Sequence, residues 1–209
     1  MRKAVAFGLL AVLAACQQAA STSNHRRAEL RDIETKTVVP AGLEQTWARL
    51  NIALSRPPFE IEKVNSRAKA MQVAVSAERP SDFIDCGESI HAYTSGLGID
   101  KLYRYPTADS ASFEATDPQG HSYAAERSAS LRTISYLAAT TTDEGTRVAV
   151  EVEYILEVDT AYDMSDSGRG SFSETALAHF SSNERSQGAL DCVSNGTVES
   201  MILNAARFH

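Results

Sequence analysis

The chain has 209 residues, a formal charge of −7 from 20 Lys and Arg against 27 Asp and Glu, and 43% hydrophobic residues. That length suits one domain with a substantial core. The acidic balance excludes a nucleic-acid partner, because counterion-release binding needs clustered Lys and Arg, and here only His25-Arg26-Arg27 forms a basic run.

The first residues have the order of an export signal. Arg2 and Lys3 are basic, Ala4 to Val12 are apolar, and a segment this short does not span a bilayer as a permanent helix. Leu13-Ala14-Ala15-Cys16 follows and resembles the bacterial lipobox, in which the thiol is acylated and the signal is cut just before it. The resemblance implies a signal peptide over residues 1–15, lipidation of Cys16, and membrane attachment through that lipid. Two or three acyl chains, at about 0.8 kcal/mol per buried methylene, anchor more firmly than one. Gln17, by resemblance to Gram-negative lipoproteins, implies sorting to the outer membrane with the domain facing the periplasm. Loss of residues 1–15 moves the formal charge from −7 to about −9.

With Cys16 taken by lipid, Cys86 and Cys192 remain, and an exported protein matures where thiols are oxidised. They are expected to pair; the alternative is two buried free thiols. Nothing resembles a redox Cys-x-x-Cys.

Residues 17–31 are small and polar without an apolar period and read as a flexible tether ahead of a single domain over 32–209. Thr35, Thr37, Val38 and Val39 favour a strand over 33–39, which Pro40 ends. Leu43, Trp47, Leu50 and Leu54 recur at helical spacing until Pro57 and Pro58. Residues 59–64 and 70–75 alternate as two half-buried strands. Residues 79–98, around Cys86, read as loop, and 102–105 and 112–115 as short extended pieces before a turn at 117–120. The clearest hairpin joins 131–141 to 146–158 through Asp143-Glu144-Gly145. Along its second arm Val148, Val150, Val152, Tyr154 and Leu156 share one face, with Glu151, Glu153 and Glu157 opposite. A loop over 166–170 leads to a strand over 171–180. A terminal helix, capped by Asn195 or Thr197, carries Val198, Met201, Ile202, Ala205 and Phe208 on its apolar face.

No catalytic constellation, metal site or cofactor motif is legible. His25, His91, His121, His179 and His209 are widely separated, and no Gly-x-Ser-x-Gly elbow occurs. Trp47 reads as core. The chain is therefore read as a non-enzyme.

This order predicts an α+β domain in which an antiparallel sheet curls around the C-terminal helix, a helix-grip-like arrangement, with one further N-terminal helix. The Trp-bearing helix Leu43-Glu44-Gln45-Thr46-Trp47-Ala48-Arg49-Leu50, then Leu54 and the two alternating strands from Phe59, resembles the domains of the BamC family, lipoprotein accessories of the outer-membrane β-barrel assembly machinery. The resemblance implies a membrane-anchored accessory that binds envelope proteins. The alternative is a module for a small apolar ligand or lipid, held between the sheet and the terminal helix by residues such as Val198 and Ile202.

Overall fold

The computed structural model describes residues 18–164 and 170–207. The signal segment, Cys16, Gln17, most of the 166–170 loop and Phe208 lie outside the described residues. In chain order the elements are β1 Ala20–Arg26, β2 Lys36–Val39, α1 Leu43–Leu54, β3 Phe59–Asn65, β4 Ala70–Ala77, β5 Ile84–Asp85, β6 Glu88–Thr94, β7 Asp100–Pro106, β8 Ala111–Thr116, β9 Ser122–Thr142, β10 Gly145–Met164, β11 Ser171–Ser181, β12 Val193–Ser194 and α2 Thr197–Arg207. The protein is α+β, mostly antiparallel sheet, with one of its two described helices at the C-terminal end.

The β9–β10 hairpin is the axis of the fold, paired from Gly145↔Thr142 to Met164↔Tyr123. Each arm is too long for one neighbour and takes two in succession. β4 runs beside β9 from Ala70↔Ala138 to Ala77↔Leu131, and β8 takes over from Ala111↔Arg127 to Thr116↔Ser122. On the other side β2 covers β10 from Thr146↔Val39 to Ala149↔Lys36, and β11 covers it from Glu153↔Ser181 to Asp163↔Ser171. β3 closes the sheet against β4. The arms extend beyond the 131–158 expected from β-branched content, because β8 and β11 supply the ladder bonds where local propensity is weak. At the turn, Gly145 has φ +133°, and a Cβ there would lie 2.2 Å from the Val39 carbonyl oxygen, so only glycine lets β2 approach.

One face of this sheet forms the core. Alternation buries Val148, Val150, Val152, Tyr154 and Leu156 together, as expected, and α1 and α2 cover them with Trp47, Leu50, Leu54, Val198, Ile202 and Leu203. Trp47 is a core residue. On α2, Val198, Ile202 and Ala205 are buried as expected while Met201 is half-buried, and Leu203, Ala206 and Glu199 are buried too, because the helix packs against both the sheet and α1 and covers a wider arc than one stripe.

Two segments correct the sequence reading. Residues 20–26, expected within a tether, form β1, which runs antiparallel to β6 from Ala20↔Thr94 to Arg26↔Glu88. Its side chains are mostly exposed, so the strand is held by backbone pairing at a sheet edge and leaves no apolar alternation to read. Gly87, at φ +76°, permits this: a Cβ would lie 1.8 Å from the Arg26 carbonyl oxygen. Residues 79–98, expected as loop, contain β5, which pairs with the distant β12, and β6, which lies between the distant β1 and its neighbour β7. β1, β6 and β7 make a separate three-stranded sheet packed against β8.

Cys86 and Cys192, 106 residues apart, lie with their sulfurs 1.96 Å from one another, beside the small β5–β12 pairing. The link ties the second sheet to the entry of α2. Closing so long a loop is worth up to about 4.7 kcal/mol in the chain-entropy model. Cys86→Ser and Cys192→Ser are therefore each expected to lower Tm by roughly 10 °C, with the double variant little worse than either. Additive losses in thermal unfolding would contradict a bridge.

Candidate binding groove

If Val148 and Val150 point into the core, Ala149 and Glu151 point to the opposite face of the sheet, and the registers assemble two rows there. The first row runs Asn65, Ala70, Ala138, Ala149, Lys36 across five strands. The second runs Lys63, Gln72, Tyr136, Glu151. Three adjacent alanines leave the first row low. The result is a groove of about 820 Å³ with an alanine floor.

Its walls are tied down. On one side stand Lys63, Val64 and Asn65 of β3; on the other stand Thr35 and Lys36 with residues 181–184. The Val150 amide donates to the Thr35 carbonyl at 2.8 Å, the Val152 amide to Ser182 Oγ at 3.3 Å, and the Ile33 amide to Asn183 Oδ1 at 2.9 Å. These bonds fasten the second wall to β10 between the stretches that β2 and β11 pair. Tyr136 sits exposed in the second row, between Gln72 and Glu151. Gln72 donates to Glu62 at 2.5 Å, and Arg132 pairs with the same carboxylate.

Chemically the groove offers an apolar floor, one accessible phenol, and rims of both charge signs, Lys36 and Lys63 with Glu151 and Glu184. No histidine or cysteine lines it. Of the carboxylates on the face opposite the valines, Glu151 lines the groove. The pocket anticipated between sheet and terminal helix is elsewhere occupied: Val198 and Ile202 have no exposed surface and are packed within the core.

A buried polar cluster escaped the sequence reading. Glu199, in the first turn of α2, is fully buried, and its carboxylate accepts from the Tyr154 hydroxyl at 2.8 Å and from Ser194 Oγ at 3.2 Å. Ser194 Oγ in turn accepts the Gly196 amide at 2.9 Å. Burial, and then the neighbouring Glu199 carboxylate, push the Tyr154 phenol upward, so it stays protonated and donates. The helical spacing of Glu199 to Ile202 and Leu203 was the available signal, since it places the carboxylate on the packed face. The cluster pins α2 to the sheet. Tyr154→Phe leaves a buried carboxylate without its main donor and is expected to cost about 2 kcal/mol, a Tm drop of roughly 4–8 °C in calorimetry. A Tyr154→Phe protein as stable as the parent would remove this role.

A second polar cluster lies between the two sheets. His91 stacks on Phe113 at 4.1 Å and meets the Tyr105 hydroxyl at 3.0 Å; its burial, and then the nearby Arg127, hold its pKa below the usual histidine value. His25, expected in a basic run of the tether, contacts Thr107 at 3.3 Å, and Arg27 pairs with Asp191. Among the described residues no three His, Cys, Asp or Glu side chains are grouped to hold a metal. No described helix is long and apolar enough to cross a membrane.

Comparison with protein-family models, with curated proteins and with solved structures finds no match to this chain.

Proposed function

We propose that this chain is a lipoprotein anchored through Cys16 in a bacterial outer membrane, facing the periplasm, where its domain binds another envelope protein without catalysing a reaction. The observation that carries the reading is the groove: an alanine floor beside an exposed tyrosine, between fastened walls and rims of mixed charge, shaped to receive a segment of a second protein. Helix α1 with its buried Trp47, followed by the β3–β4 hairpin, has the order on which the resemblance to BamC domains rests, and it supports an accessory role in outer-membrane assembly. The lipid anchor supports the same role by confining the domain near membrane-bound partners and raising their effective concentration.

The alanine floor also favours a second reading, a small apolar ligand or lipid bound in this groove instead of beneath the terminal helix. Its openness favours a protein segment, because small-molecule sites bury most of their ligand.

A photocrosslinking side chain at Tyr136 of the exported protein is expected to yield a discrete adduct with an envelope protein, while one at Ile52, exposed on α1, yields none. Ala138→Arg fills the floor and is expected to reduce the adduct at least about tenfold while leaving Tm nearly unchanged, as for a surface substitution. Equal crosslinking from Tyr136 and Ile52 would contradict the groove. A reproducible lipid or metabolite retained in native mass spectrometry and lost in Ala138→Arg would favour the second reading.

A further inference from the structure

The open end of the β9–β10 hairpin gathers several chain segments. The β1–β6 register places Ala20 beside Thr94, at the entrance to the β6–β7 turn. Ser21 Oγ meets Thr116 Oγ1 at 3.0 Å, and the Tyr93 hydroxyl meets Ser122 Oγ at 2.8 Å, which brings the end of β8 and the start of β9 to the same place. Met164 pairs with Tyr123 there. Phe172, 47% exposed, stacks on Tyr162 at 4.6 Å and lies edge-on to Tyr123 at 5.6 Å.

The most prominent feature of this end is the β6–β7 turn, with Leu97 at 89% exposure and Ile99 at 55%, followed by Leu102 of β7 at 58%. Much of its backbone is bonded within the turn. The Gly98 amide donates to the Ser95 carbonyl at 2.8 Å, and the Leu97 and Ile99 amides donate to Ser95 Oγ at 3.3 and 3.0 Å. A turn with most of its amides internally bonded enters an apolar phase at a lower cost of stripping water from donors. The segment 95–99 also carries no charged side chain.

Chain connectivity says what lies next to this turn. Cys16 is two residues before Gln18, and two residues reach about 7 Å at most. Gln18 itself lies at the β8–β9 turn, where its Cβ would stand 3.4 Å from a Cβ on Gly120. An acyl group on Cys16 therefore emerges at the end of the molecule that exposes Leu97, Ile99 and Phe172.

We propose that this end is a bilayer-docking surface, in which the β6–β7 turn, led by Leu97, inserts into the interface of the membrane that holds the acyl group. The proposal rests on the lipid-anchor reading above. Asp100 directly follows the turn, and Asp117 and Asp163 lie at the same end of the hairpin, so attraction to anionic headgroups does not drive the contact. Apolar insertion does, and it is weak alone but sustained by the tether. Docking fixes the domain's orientation, with the hairpin standing away from the bilayer and the groove held toward its turn end.

The test uses the exported full chain carrying L97W, reconstituted in phosphatidylcholine vesicles with brominated acyl chains, and I52W as the control position. Both sites are exposed, so neither change strains the fold, and native Trp47 remains as a buried background common to both. The L97W emission is expected to be quenched roughly twofold or more relative to unbrominated vesicles, as for a side chain 5–10 Å into the interface, and I52W hardly at all. Quenching of L97W no greater than that of I52W overturns the proposal. The mass of the same protein reads acylation of Cys16: acylated but unquenched protein defeats the docking surface alone, and unacylated, unquenched protein defeats it together with the anchor.

Discussion

Everything in this fold is referred to one pairing, the register of β9 against β10. Because alternate residues point to opposite faces, a one-residue slip would send Val148, Val150, Val152, Tyr154 and Leu156 to solvent and Ala149 and Glu151 into the core. The register therefore builds both faces at once. It aligns the apolar stripe that α1 and α2 cover, and it lines up Ala70, Ala138 and Ala149 as the groove floor. The turn that sets it depends on Gly145, whose missing Cβ admits the Val39 carbonyl.

The length of the hairpin divides the molecule. The half near the turn is flanked by β4, β3 and β2, carries both helices on one face and has the groove on the other. The open half is flanked by β8 and β11 and receives the second sheet, with His91, Tyr105 and Phe113 stacked at the junction. The Cys86–Cys192 link and the Glu199–Tyr154–Ser194 cluster hold α2 where these halves meet. In the proposed reading, with partner recognition at one end and lipid attachment at the other, the hairpin acts as a spacer between a membrane and the site it presents.

Elements made by one strong local pattern were legible in the sequence. The valine-rich alternation of 148–156 and the helical spacing of Leu43, Trp47, Leu50 and Leu54 each signal burial on one face, and both are buried together. What long-range pairing alone creates was not legible. β1 is polar and exposed, so its order comes from the edge of β6. The groove floor is alanine, which signals neither burial nor exposure, and its residues come from three strands spread over 80 positions. The Glu199 cluster was not legible either, because composition does not reveal that Tyr154, 45 residues earlier, lies opposite that carboxylate.

Oxidative footprinting of the protein in its own membrane, compared with the purified chain in solution, tests most directly whether the hairpin bridges membrane and partner. Leu97 and Tyr136 are both exposed and sit near opposite ends of the hairpin, and Ile52 is exposed on the helical face. If the hairpin bridges, Leu97 and Tyr136 both lose reactivity in the membrane while Ile52 keeps it. Reactivity of Leu97 and Tyr136 unchanged between membrane and solution would contradict it.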